Sequence, residues 1–134
     1  YNLDEIIEKD YQLAVIRGVL HHLSQPQKAI KKIGKYFDNV VVLESNGYNP
    51  ILKIIERTSP YHTQHEEKSY WPPLLNKWFL EVGYRVVEQK FFGIVPYFCP
   101  DTFADILNFL EDFFEDIPLL RNIYCGSNLI LYRK

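Results

Sequence analysis

Methionine is missing from the chain altogether, and cysteine occurs only at Cys99 and Cys125. Two cysteines are too few for a disulfide framework, and neither stands at metal-ligand spacing from a histidine. They read as inert thiols in a reduced, cytoplasmic setting. Long hydrophobic runs are lacking too: none approaches the roughly 20 residues that a membrane-crossing helix needs, and no charged segment precedes an apolar signal core. Nor is charge of one sign in excess, since a formal net charge of −2 provides no field for gathering nucleic acid. The chain opens at Tyr1 rather than at methionine, and we expect a fragment or processed product.

What remains is an ordered globular composition. Hydrophobic residues make up 47% and charged residues 24% of 134 positions, enough for one domain with its own core. The nearly continuous apolar run over 13–20 predicts a first strand buried on both faces of a parallel sheet. Ala29, Ile30, Ile33 and Phe37 recur at helical spacing, predicting a helix over 25–36 with Ser24 and Gln27 as a capping box. Its other side carries Lys28, Lys31, Lys32 and Lys35, the solvated face of an amphipathic helix. A β-branched run over 40–43 follows, so strand, helix and strand form a parallel crossover.

Beyond that strand, Glu44 to Pro50 form a polar loop at the sheet end where ligands gather in open α/β folds, before a short helix over 51–58. Ser69 is expected to cap a helix closed by Gly83, then 85–92 alternates as a third strand. Pro96 and Pro100 bracket a turn, and Asp101 is expected to cap a helix that Pro118 stops. That helix has an apolar stripe and six acids, Asp101, Asp105, Glu111, Asp112, Glu115 and Asp116. A last strand over 128–132 completes an α/β sheet with an antiparallel finish.

The segment Tyr11-Gln12-Leu13-Ala14-Val15-Ile16-Arg17-Gly18-Val19-Leu20-His21-His22-Leu23, followed by Pro26 and Ala29-Ile30, resembles the fourth-strand motif of class I S-adenosylmethionine (SAM) dependent methyltransferases. In that family an aromatic-Asp-Leu-Val strand runs into Val-Leu-His-His-Leu, then a helix and a fifth strand ending in Glu-Pro-Asn or similar. Here the ending is Glu44-Ser45-Asn46. Gly47-Tyr48-Asn49-Pro50, His65-Glu66-Glu67 and Leu80 with Gly83-Tyr84 are similar to one branch of small-molecule methyltransferases. The resemblance implies a partial Rossmann-like sheet, the fourth to seventh strands with the last pair antiparallel, flanked by helices. Residues 1–134 would then be one domain, the C-terminal part of a methyltransferase domain without its N-terminal half.

Two departures bear on the cofactor. Gln12 stands where the family has an acidic residue. No two of the six glycines are two apart, so the family's Gly-x-Gly turn is missing, as is the acidic residue that ends its second strand. Negligible SAM affinity is therefore expected of this chain alone, with methyl transfer to a small-molecule acceptor reserved for the complete protein.

The resemblance places Arg17, Gly18 and Val19 at the cofactor and His21, or less favourably His22, as a general base titrating near neutral pH. Glu44, Asn46 and Tyr48 are the candidate substrate-binding residues. Tyr48, Tyr61, Tyr70, Trp71, Phe92 and Tyr97 could wall a pocket, although core packing is the ordinary use of such rings. Phe91 to Phe98 with the helix after it could instead shield a lipid-like substrate or form a dimer surface. His62, His65 and Glu66 lack a third evident zinc ligand and read as a polar loop. A strand at 13–17 without its family neighbour would expose apolar faces and unpaired backbone groups, to be paired by the N-terminal half or a second copy. The rival reading is a non-catalytic interaction module on the same scaffold.

Overall fold

Apolar, β-branched sequence places β1 (Leu13–Arg17) parallel to β2 (Asn39–Ser45), with Leu13 opposite Asn39 and Arg17 opposite Leu43. The computed structural model describes residues 11–59, 68–95 and 101–134. A 3-10 turn (Leu20–His22) and α1 (Pro26–Ile33) connect the two strands. After β2 come α2 (Pro50–Thr58), α3 (Pro72–Leu80), β3 (Arg85–Phe92), α4 (Asp101–Asp116), α5 (Pro118–Tyr124) and β4 (Ser127–Arg133). The sheet order is β1-β2-β4-β3, and β4 runs antiparallel to both neighbours. This is the expected α/β sheet, parallel at its start and antiparallel in its last pair. None of the helices is long and apolar enough to cross a membrane among the described residues.

Strand alternation sends residues to two faces, and the faces differ. Ile16, Val40, Val42, Ile130 and Tyr132 form a buried row that packs on Ile30 of α1 and on Leu75 and Phe79 of α3. Phe79 stacks on Tyr132 with ring centroids 3.9 Å apart and planes 4° from parallel; replacing such a ring by alanine costs about 3–5 kcal/mol. Polar groups on this face are joined in series. Tyr132 donates to Asn76 (2.6 Å), Asn76 to Gln89 (3.1 Å) and Gln89 to Asn128 (2.9 Å).

The opposite face carries Val15, Val41, Leu43, Leu129 and Leu131, with Glu88 and Lys90 beside them on β3. Here Val15 is 66% and Leu13 46% exposed, which corrects the expectation of a first strand covered on both sides. Among the described residues, β1 also has a strand on one side only.

Several helix starts differ from the sequence reading. Ser24 makes no cap: Gln25 is the N-cap of α1 without a side-chain bond, and Pro26 at the first position sets the helical φ. The helix also ends at Ile33 instead of near residue 36. Ser69 does not begin α3, which starts after Trp71 with Pro72; its backbone N–H and its hydroxyl both donate to Glu56 of α2. Pro118 does stop α4, and it opens the unanticipated α5. The expectations for His62, His65, Glu66, Tyr61, Tyr97 and Cys99 lie outside the described residues.

Gly47 sits where a Cβ would lie 2.1 Å from the Tyr70 carbonyl oxygen and 2.8 Å from the Trp71 nitrogen. Gly47→Ala must displace backbone and is expected to cost about 2–3 kcal/mol in urea unfolding, as overpacking does. The control is Gly83→Ala, where φ is +93° but nothing lies within 4 Å; it should cost about 1–2 kcal/mol and leave Trp71 fluorescence unchanged. Equal fluorescence shifts in both variants would contradict the close approach.

Burial pushes Tyr84 up to about 12 from 10.0, helped by Asp38, and pushes Cys125 up to about 11 from 9.0, with Glu115 and Glu111 adding. Burial raises the Tyr132 phenol as well. In each case the folded chain holds a proton that the unfolded chain releases at the ordinary value. The stabilisation is therefore complete below about pH 9 and is lost as pH rises through about 12. Urea midpoints should stay level up to about pH 8.5 and fall above about pH 9, with a shallower fall in Tyr84→Phe. A midpoint that holds level through that window would refute the assignment.

Candidate functional site

The carboxyl ends of β1 and β2 are joined by one side chain. Beyond β1 the ladder continues one residue, Gly18 N–H donating to the Leu43 carbonyl at 2.9 Å, and then breaks as Gly18 takes φ +59°. That left-handed conformation favours glycine. A Cβ at Gly18 would make only ordinary contact, 3.7 Å from His21 Cε1, so backbone conformation rather than crowding selects the residue. The turn leaves the Val19 and Leu20 N–H groups pointing at the end of β2. Glu44 Oε1 accepts both, at 2.9 and 2.8 Å.

The second oxygen, Glu44 Oε2, lies 2.6 Å from His21 Nδ1. Glu44 is 5% exposed. Because an ionised carboxylate only accepts, Nδ1 carries the proton in this pair. The His22 ring lies against that of His21, with centroids 4.1 Å apart. Tyr70 closes the other side by donating to the Leu20 carbonyl at 3.3 Å; burial and the Glu44 charge raise its pKa.

The loop after β2 is built equally tightly. Asn46, fully buried, donates to the carbonyls of Asn122 and Cys125, both at 2.8 Å, and accepts from Tyr48 N–H at 3.0 Å. Asn49 caps α2 by accepting from Ile51 and Leu52 N–H and donates to the Tyr124 carbonyl at 2.8 Å. It thus fastens the start of one helix to the end of another. Tyr48, half-buried, stands edge-on to Trp71 and beside Phe91, at centroid distances of 6.1 and 5.9 Å.

The structure thus brings together Gly18, Val19, His21 and Glu44, with Arg17 exposed at the strand end. Glu44 and Asn46 turn inward, their polar atoms engaged within the chain, while Tyr48 stays at the loop surface. Beside His21 is a pocket of about 50 Å³ lined by Ser45, Leu52, Ile55, Glu56, Lys68 and Ser69. It has room for a water or two, not a substrate. Asn49 escaped the sequence reading, although Asn directly before Pro is a legible helix start.

No protein-family model matches the sequence, and no curated protein matches it. Solved structures do. A SAM dependent methyltransferase from Archaeoglobus fulgidus aligns with 100% of this chain and 66% of its own, at a TM-score of 0.64 and 16% identity. A Bacillus halodurans protein described as a methyltransferase aligns over 94% of this chain and 67% of its own, with TM-score 0.56 and 14% identity. A Galdieria sulphuraria protein described as a sarcosine dimethylglycine methyltransferase covers 92% of this chain and 53% of its own, with TM-score 0.53 and 12% identity. The chain therefore has a class I methyltransferase-like fold, and it spans about half to two thirds of these neighbours.

Glu44→Ala leaves two backbone donors and an imidazole without their acceptor and is expected to cost about 3 kcal/mol or more. Glu44→Gln keeps one oxygen for Val19 and Leu20 but turns an amide N–H₂ toward His21. It should fold with a loss of about 1 kcal/mol or less while moving the imidazole proton to Nε2. Imidazole nitrogen shifts measured by NMR distinguish the tautomers; the same tautomer in wild type and Glu44→Gln would contradict the pairing.

Proposed function

We propose that this chain is the C-terminal part of a SAM-dependent methyltransferase domain and that the complete protein methylates a small molecule. The observation that carries the reading is the Gly18 turn, fixed by Glu44 at the carboxyl ends of two parallel strands on a methyltransferase-like fold. Ligands of open α/β sheets collect at that end.

The residues present fit one wall of a SAM site. Gly18 offers backbone without a Cβ, Val19 is 46% exposed beside it, and Arg17 is exposed at the strand end. The sequence has no Gly-x-Gly turn, so the remaining cofactor contacts come from outside these 134 residues. When bound, SAM supplies a methyl group already activated on a sulfonium, which leaves the protein alignment and exclusion of water.

His21, oriented through Nδ1 by Glu44, serves as the general base that takes a proton from the methyl acceptor. Glu44 and Asn46 act on the acceptor side from behind, by holding the 19–20 turn and the 46–49 loop. Tyr48 contacts the acceptor directly. The exposed apolar side of β1 fits pairing with the N-terminal half of the domain, or with a second copy, along Leu13–Arg17. One observation favours an interaction role as well: Ile106, Phe109 and Phe113 of α4 are 54%, 85% and 56% exposed, an apolar stripe of the kind partners cover.

Calorimetric titration with SAM tests the proposal in two preparations, this chain and the full encoded protein. The full protein should bind. The chain alone should bind at least about 100-fold more weakly, the equivalent of about 3 kcal/mol or two to three hydrogen bonds. No binding by the full protein would leave the interaction module as the better reading, and equal affinity would refute the division of the site.

A further inference from the structure

Away from His21, on the sheet face opposite the core, the ends of β3 and α4 and the middle of α5 line a groove of about 330 Å³. That is within the range of small-molecule sites. Phe91, Phe92 and Leu129 supply its apolar wall; Lys90, Arg121, Glu115 and Asp116 supply its charges. Two of these charges already have partners. Lys90 lies 3.0 Å from Glu88, and Glu115 accepts from Gly93 N–H at 2.9 Å.

Arg121 differs: its Nε is buried and has no hydrogen-bond partner among the described residues. A buried, charged donor left unsatisfied costs about 1–3 kcal/mol or more, and a guanidinium is met most completely by a planar carboxylate in a bidentate fork.

Register ties the groove to the proposed methyl-transfer end. Arg17 pairs with Leu43, Leu43 with Leu129 and Leu129 with Lys90, so one row crosses the sheet from the end of β1 to the groove. Neighbours in such a row share a face, and its three strand spacings amount to about 14 Å.

We propose that this groove binds a small organic monocarboxylate, its carboxylate on Arg121 and its apolar body against Phe92 and Leu129. Resting on the methyl-transfer reading, this ligand is the part of the acceptor that fixes its orientation, with the reacting end reaching toward His21. Glu115 and Asp116 in the lining repel a phosphate dianion more strongly than a carboxylate monoanion.

NMR titration with phenylacetate, phenylphosphate and benzyl alcohol, without SAM, tests it. Phenylacetate at millimolar concentrations should move the Arg121 Nε–Hε signal and the Leu129 amide. The other two probes should bind at least about tenfold more weakly, or about 1.4 kcal/mol. Arg121→Gln should lose the same factor, and Leu129→Trp should fill the groove and abolish binding with the guanidinium intact. An unmoved Arg121 signal, equal shifts with benzyl alcohol, or unchanged affinity in both variants would overturn the site. Tighter binding of phenylphosphate would replace the carboxylate by a phosphoryl ligand and so overturn the class. Because SAM is absent from this titration, its failure leaves the methyl-transfer reading standing, and failure of SAM binding leaves the groove.

Discussion

A single carboxylate holds the carboxyl ends of β1 and β2 together, and its two oxygens do different things. Through Oε1, Glu44 collects the Val19 and Leu20 N–H groups that the Gly18 turn leaves behind. Through Oε2 it sets the imidazole of His21. Hydrogen bonds to a buried ion are worth about twice neutral ones, so the path of the chain after β1 is defined by a group on β2. The chemistry proposed for His21 and the approach proposed for a cofactor at Gly18 both follow from that junction.

The second constraint is the asymmetry of the sheet. On one face Phe79, Tyr132 and their neighbours pack as a closed core. On the other, Val15 stays open, the central strands offer Val41, Leu129 and Leu131, and the charges of Glu88 and Lys90 line one edge strand. A parallel pair is ordinarily covered on both sides. Among the described residues, only the core face is closed in this way, consistent with a chain that spans half to two thirds of its structural neighbours. The open face also carries the Arg121 groove, so what covers the sheet there also decides what can enter.

Strand identity was legible because it depends on local pattern. The 85–92 alternation gave β3 with its bounds, and the β-branched residues near 40 gave β2 with a residue or two missing at each end. The parallel start was legible in the strand-helix-strand crossover and the antiparallel finish in the order of elements, and the resemblance carried by Gly18 to Leu23 and Glu44 to Asn46 agrees with both. Caps were not. Ser24 and Ser69 have cap-forming side chains, yet proline at the first helical position did the work at α1 and α3, and the Ser69 hydroxyl was claimed by Glu56, 13 residues earlier. Such a competition is decided by tertiary contact, which no local window contains. Likewise the sequence marks Glu44 as a polar residue at a strand end without revealing that it faces inward, 25 residues from its first partner. Arg121 gave no signal at all, since whether its Nε finds a partner depends on which neighbours Lys90 and Glu115 have already taken.

The most direct measurement is a crystal structure of the full encoded protein grown with S-adenosylhomocysteine. The account requires the ligand to lie against Gly18 and Val19, with a parallel strand paired along Leu13–Arg17 and the Glu44 to His21 contact intact. A structure in which β1 remains an open edge, or in which the ligand binds away from Gly18, would contradict it.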